Sequence, residues 1–203
     1  MGKSLHIILA ATLSLTSLAS FGQKEAVFNP ETASIEENIR TPEVKQKHHD
    51  AVVAKMNETS HSLKEAGYAV TPVRSGEVLM VVIPCSTLFG PNETALSQKG
   101  EYKLEGLKQY VRNTEDFKTV IAVHSDNTGD STYADRLTSD RANAIDEYFY
   151  KTGSYRETGI IPYGIGSDEP VAANHGSANR ARNRRVEFYF IPTQAFIDKA
   201  RKK

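Results

Sequence analysis

From Ile7 to Leu18 the chain is uncharged and largely apolar, behind Lys3 and ahead of Ser20 and Gly22, the small residues that flank Phe21. This pattern predicts a secretory signal peptide over residues 1–22. The run is shorter than the roughly 20 apolar residues of a spanning helix. No Cys follows the small residues, so a lipid anchor is not expected. Residues 23–40 are acidic, weakly apolar and without periodicity, which predicts a mobile tether. A helix is expected over residues 41–67, capped by Thr41, with Pro42 in its first turn and Gly67 ending it. Its apolar positions, Val52, Met56, Thr59, Leu63 and Ala66, recur every three or four residues. This narrow face packs on the following domain or, alternatively, forms a short coiled-coil seam. The helix and tether also offer a dock for an unknown envelope partner.

Alternation then replaces the helical period. Tyr68 and Val70 precede the turn through Gly76, and Leu79, Val81 and Ile83 follow it, so a hairpin is expected. A helix carrying Leu104, Leu107, Tyr110 and Val111 comes next, then the apolar run FKTVIAVHS as a buried strand. The turn DNTGD opens a long helix from about Ser131 to Lys151. GIIPYGIG and RRVEFYFIP supply two further strands, separated by the polar loop SDEPVAANHGSANRARN. The order predicts an α/β two-layer sandwich, with a mixed four- to five-stranded sheet and helices on one face, over residues 68–192. Residues 193–203 read as a basic tail.

Composition narrows the function classes. With 203 residues, 39% of them apolar, the chain can bury one sizeable core. Its 25 basic and 25 acidic residues balance, so no overall field favours nucleic acid. Cys85 is the lone cysteine, which excludes an internal disulfide. The roughly ten-residue alternating segments of an outer-membrane barrel are missing.

The long helix carries the main chemical clue. Tyr133, Leu137, Arg141, Ile145 and Tyr148 recur every three or four positions, which places Arg141 inside the apolar stripe. A guanidinium there requires a partner. Asp126, Asn127 and Thr128 lie in the turn before this helix, and the chain returns past the same rim at Arg184 and Arg185. Strand alternation sends these two arginines to opposite faces, Arg184 toward the rim and Arg185 toward a structural role. A carboxylate and an arginine on one rim suit an amino-acid head group, whose ammonium and carboxylate they would hold. The bland alternative is an Asp126–Arg141 pair satisfying itself. A Cys85 nucleophile with His124 as base and Asp126 behind it is not favoured, because Cys85 follows an apolar strand. The histidines lack metal-ligand spacing. Neither a metal nor a cofactor is expected.

The segments VHSDNTGDSTYADRLTSDRANAIDEYFYKTG and GIGSDEPVAANHGSANRARNRRVEFYF resemble the peptidoglycan-binding domain shared by OmpA, Pal and MotB, from about Gly76 to Pro192. The resemblance implies a non-enzymatic envelope module in the periplasm of a Gram-negative bacterium, associated with the cell wall or outer membrane. It implies that Asp126 and Arg141 hold the free head group of diaminopimelate in the stem peptide, with Thr128, Asn127 and Arg184 at the same site. The chain departs from the family pattern at Ala134, where an Asn is frequent, and at Gly90, where an acidic or amide residue is frequent. A protein-interaction module with a degenerate site is the alternative.

Overall fold

The computed structural model describes residues 33–153 and 160–202. The expected signal peptide and the tether residues 23–32 lie outside the described residues. The elements are α1 (Ile35–Asn38), α2 (Gln46–Glu65), β1 (Ala69–Val73), β2 (Val78–Pro84), α3 (Cys85–Leu88), α4 (Gln98–Glu105) and α5 (Lys108–Arg112). They continue with β3 (Phe117–His124), α6 (Ser131–Lys151), β4 (Ile160–Gly166), α7 (Gly176–Asn183), β5 (Arg185–Pro192) and α8 (Gln194–Ala200).

The five strands form one mixed sheet in the order β1-β2-β5-β3-β4. The expected hairpin pairs Ala69 with Val82 and Val73 with Val78. β5 lies antiparallel to both β2 and β3, whereas β3 and β4 run parallel, joined through α6. Alternation decides which residues meet the helices. Leu79, Val81 and Ile83 of β2 and Phe188 and Phe190 of β5 turn into the main core, which also holds Val52, Met56 and Leu63 of α2 and Ile145 and Phe149 of α6. The apolar face of α2 is therefore used by the domain itself. α6 packs close on β4 because Gly164 lacks a side chain: a Cβ there would stand 2.3 Å from the Ser139 amide nitrogen.

The structure corrects several expected boundaries. Thr41 does not cap α2, which starts at Gln46; its hydroxyl donates to Glu77 Oε2 at 2.8 Å. Residues 33–40, expected in the tether, include α1, closed by a reciprocal capping box between Ser34 and Glu37. Ile35 and Ile39, four positions apart, press one side of this turn onto Val78, Val120 and Ile191. α1 thus covers the sheet face opposite the other helices. The expected tail holds α8, capped by Thr193, with Phe196, Ile197 and Ala200 buried. The helix expected through Leu104 and Val111 is broken at Gly106 into α4 and α5. The second half of the polar loop forms α7. Among the described residues no helix is long and apolar enough to cross a membrane.

Candidate ligand-binding cleft

β3 delivers Asp126 just beyond its last residue, His124, where the Ser125 amide still donates to Gly166 O at 2.6 Å. The Asp126 carboxylate is buried, and its Oδ1 accepts the Thr128 amide at 2.8 Å. Oδ2 accepts from Nη1 of Arg184, the residue preceding β5. Burial works against the charged carboxylate, but the bonds from Thr128 and Arg184 outweigh it and hold its pKa below the usual value. Thr128 and Asn127 are exposed on the turn. Asp130 accepts the Tyr133 amide and starts α6.

Arg141 is buried on α6, as its place in the apolar stripe predicts. Its partner is not Asp126. Nε donates to Glu93 O at 2.8 Å and Nη2 to Gly90 O at 3.1 Å, while the guanidinium lies 4.8 Å from the Phe89 ring centroid. Nη1 takes part in neither bond. The loop after α3 thus cradles the cation through carbonyls and an aromatic face. A bridge between Phe89 and Leu96 closes that loop.

These groups line a cleft of about 680 Å³. Asp126, Thr128, Arg141 and Arg184 all border it, but Asn127 does not. The Asn127 amide instead donates to Asn174 Oδ1 at 3.4 Å. Ala134 and Leu137 of α6 and Cys85 form apolar wall, with Gly90 and Asn92 on the opposite rim. Sequence reasoning missed Phe89 and Ser177 as lining residues and read Arg180 as a loop charge that could touch glycan or stem; all three line the cleft. Phe89 is placed by a loop, which carries no periodic signal. Ser177, Arg180 and Arg184 are spaced by three and four, the signal of one helix face, but they fall in a stretch whose polarity reads as irregular loop.

The other side of the sheet fixes the same two strand ends. Arg185 points away from Arg184, as alternation requires, and its Nε donates to Glu187 Oε1 at 2.6 Å. Its Nη1 donates to the carbonyls of Glu169 and Asn183 at 3.2 and 3.3 Å. The Tyr189 hydroxyl donates to Glu187 Oε2 at 2.5 Å, and His124 Nε2 lies 3.3 Å from the same oxygen, off the line of a hydrogen bond. Burial alone would raise the Glu187 pKa, but His124, Tyr189 and Arg185 bring it down to about 2. At the end of α7, the buried Asn183 accepts the amides of Val171 and Ala172 and donates to Ala172 O and Asn174 Oδ1, all within 2.7–3.0 Å. It ties the loop after β4 to the end of α7.

The arrangement does not assemble a thiol nucleophile. Cys85 Sγ lies 3.8 Å from the His124 carbonyl, whereas the His124 ring faces Glu187 on the opposite side of the sheet. Burial pushes the thiol pKa up to about 11 despite the nearby arginines. Among the described residues no group of three or more His, Cys, Asp or Glu side chains is placed to hold a metal ion.

Residues 88–184 match the OmpA family, a span that contains Asp126, Thr128, Arg141 and Arg184. The chain carries an OmpA-family domain. Outer membrane protein A of Bordetella avium is 32% identical over 112 residues, 55% of this chain and 57% of that protein. The peptidoglycan-associated lipoprotein of Legionella pneumophila is 28% identical over 108 residues, 53% of this chain and 60% of that protein. The chain thus matches less than two thirds of the length of these curated relatives. Among solved structures, a putative MotB-like protein from Desulfovibrio vulgaris superposes with a TM-score of 0.63 at 22% identity, covering 72% of this chain and 98% of that one. The cell wall anchor of the T6SS from Pseudomonas aeruginosa gives 0.56 at 23%, covering 69% and 96%. These likenesses show that the OmpA-family domain has the fold of those proteins.

Proposed function

We propose that the domain holds peptidoglycan non-covalently, as an envelope anchor and not as an enzyme, by clamping the free head group of diaminopimelate in a stem peptide. One observation carries the reading: Asp126 and Arg141 are buried, oppositely charged and border one cleft without neutralising each other. A carboxylate offers about four lone-pair positions. Thr128 and Arg184 engage one on each Asp126 oxygen, which leaves acceptor capacity for an ammonium. Arg141, braced by two carbonyls, directs the rest of its guanidinium at the ligand carboxylate. Arg184 acts here by fixing Asp126, and Thr128 by its amide; Asn127 does not line the cleft and takes no part in the clamp. Ala134 supplies no amide, so this clamp relies on its charged groups. The family membership and the name of the Legionella relative support the same reading. It places the protein in the periplasm, at the cell wall or outer membrane, after removal of the leader.

Co-sedimentation with purified sacculi tests it. Wild type should pellet with the sacculi, and Asp126→Ala and Arg141→Ala, shown to be folded by circular dichroism, should remain in the supernatant. Equal retention of all three would mean that the wall is held elsewhere. A wild type that does not pellet would favour the alternative of a protein-interaction module, in which Asp126 and Arg184 simply satisfy each other.

A further inference from the structure

The cleft holds more positive charge and more room than a single head group uses. Three guanidinium groups, Arg141, Arg180 and Arg184, border it against one carboxylate, Asp126. A zwitterionic head group is neutral overall and would leave that excess uncompensated. The volume of about 680 Å³ is likewise that of a pocket for a drug-sized ligand, not for the few atoms around one carbon.

The excess is concentrated on α7 and its C-cap. Ser177 and Arg180 are three positions apart on the helix, and Arg184 follows four further at the C-cap, so all three border the cleft from one side. Arg180 is half-buried, and its bond to Asn174 O is long, at 3.4 Å. Arg184 meets Asp126 through Nη1, and its side chain stays 43% exposed. The helix that carries them is held by the four bonds of the buried Asn183. Guanidinium groups and a hydroxyl on a braced element recognise an oxyanion with little ordering cost.

We infer that Ser177, Arg180 and Arg184 form a second anionic subsite, which takes a free carboxylate of the stem peptide one residue away from the head group held by Asp126 and Arg141. The inference rests on the clamp proposed above and specifies its ligand: a peptide bearing one ammonium and at least two carboxylates. A glutamyl residue linked through its side chain presents such a group, because its α-carboxylate remains free. Amidation of that carboxylate removes the charge and so weakens the contact.

Calorimetric titration of the purified protein separates the two claims. The probes are N-acetyl-γ-D-glutamyl-meso-diaminopimelate, whose single ammonium is that of the diaminopimelate head group, and the same compound with the glutamyl α-carboxylate converted to an amide. Wild type is expected to favour the free acid by about five- to tenfold, the scale of one partly exposed charge-assisted contact. Arg180→Gln should bring this ratio close to one, while Arg182→Gln, on the same helix but outside the cleft lining, should keep it. A wild type that binds both probes equally, or an Arg180→Gln protein that keeps the preference, would overturn the subsite and leave the clamp standing. Binding of neither probe by wild type would overturn the clamp, and the subsite with it.

Discussion

Replacing Glu187 by Gln keeps the shape of a buried side chain and removes its charge. In the folded protein its carboxyl pKa falls from 4.5 to about 2. That drop corresponds to about 3 kcal/mol of stability. A similar magnitude follows from breaking a buried ion pair on one side, about 3–5 kcal/mol, since Arg185 would stay buried beside a neutral amide. The two figures describe one loss and do not add. Because the folded pKa is depressed, the stabilisation is complete well above 4.5 and disappears as pH falls toward 2. Urea unfolding of both proteins should therefore show wild type more stable by about 3 kcal/mol at pH 7, with the gap narrowing to roughly half by pH 3. A gap that is the same at both pH values would refute the assignment of the stability to this carboxylate. The Tyr189→Phe protein provides a check, because it removes one donor to Glu187 and should shift the same titration upward by a smaller amount.

Three further outcomes follow from local geometry. Asn183→Ala loses four hydrogen bonds and should destabilise the domain by about 2–3 kcal/mol, read by thermal melting, with hydrogen exchange rising at Val171 and Ala172. Gly164→Ala places a methyl group 2.3 Å from the Ser139 amide nitrogen and should cost about 3 kcal/mol by forcing α6 away from β4. Cys85 is 3% exposed with its thiol pKa raised to about 11, so iodoacetamide at pH 8 should leave it unmodified until urea unfolds the chain; rapid labelling of native protein would contradict its burial.

The elements legible in the sequence are those whose period runs long enough to identify a face. β2, β3 and β5 alternate or run apolar over seven or eight residues, and α6 holds its stripe for 21 residues, which is how Arg141 stands out from the other arginines. α1, with four residues, and α8, with seven, are too short for a period; each depends on a cap and on two or three buried apolar contacts. The strand ends place Asp126 and Arg184 together, and alternation separates Arg184 from Arg185. Which arginine meets Asp126 is a different matter. It depends on the loop from Phe89 to Leu96, whose carbonyls engage Arg141 and leave Asp126 to Arg184. No spacing along the chain encodes that competition.

β5 is the last strand in sequence and the central one in space, between β2 and β3. Before it inserts, the β1–β2 hairpin and the β3–β4 pair are separate fragments, each with an open edge. Arg184 enters the cleft with that same strand, 58 positions after Asp126. Completion of the sheet and completion of the cleft lining therefore depend on the same strand. A chain cut short before residue 184 would have neither, and its bare strand edges would make it prone to aggregation and a substrate for chaperones and proteases.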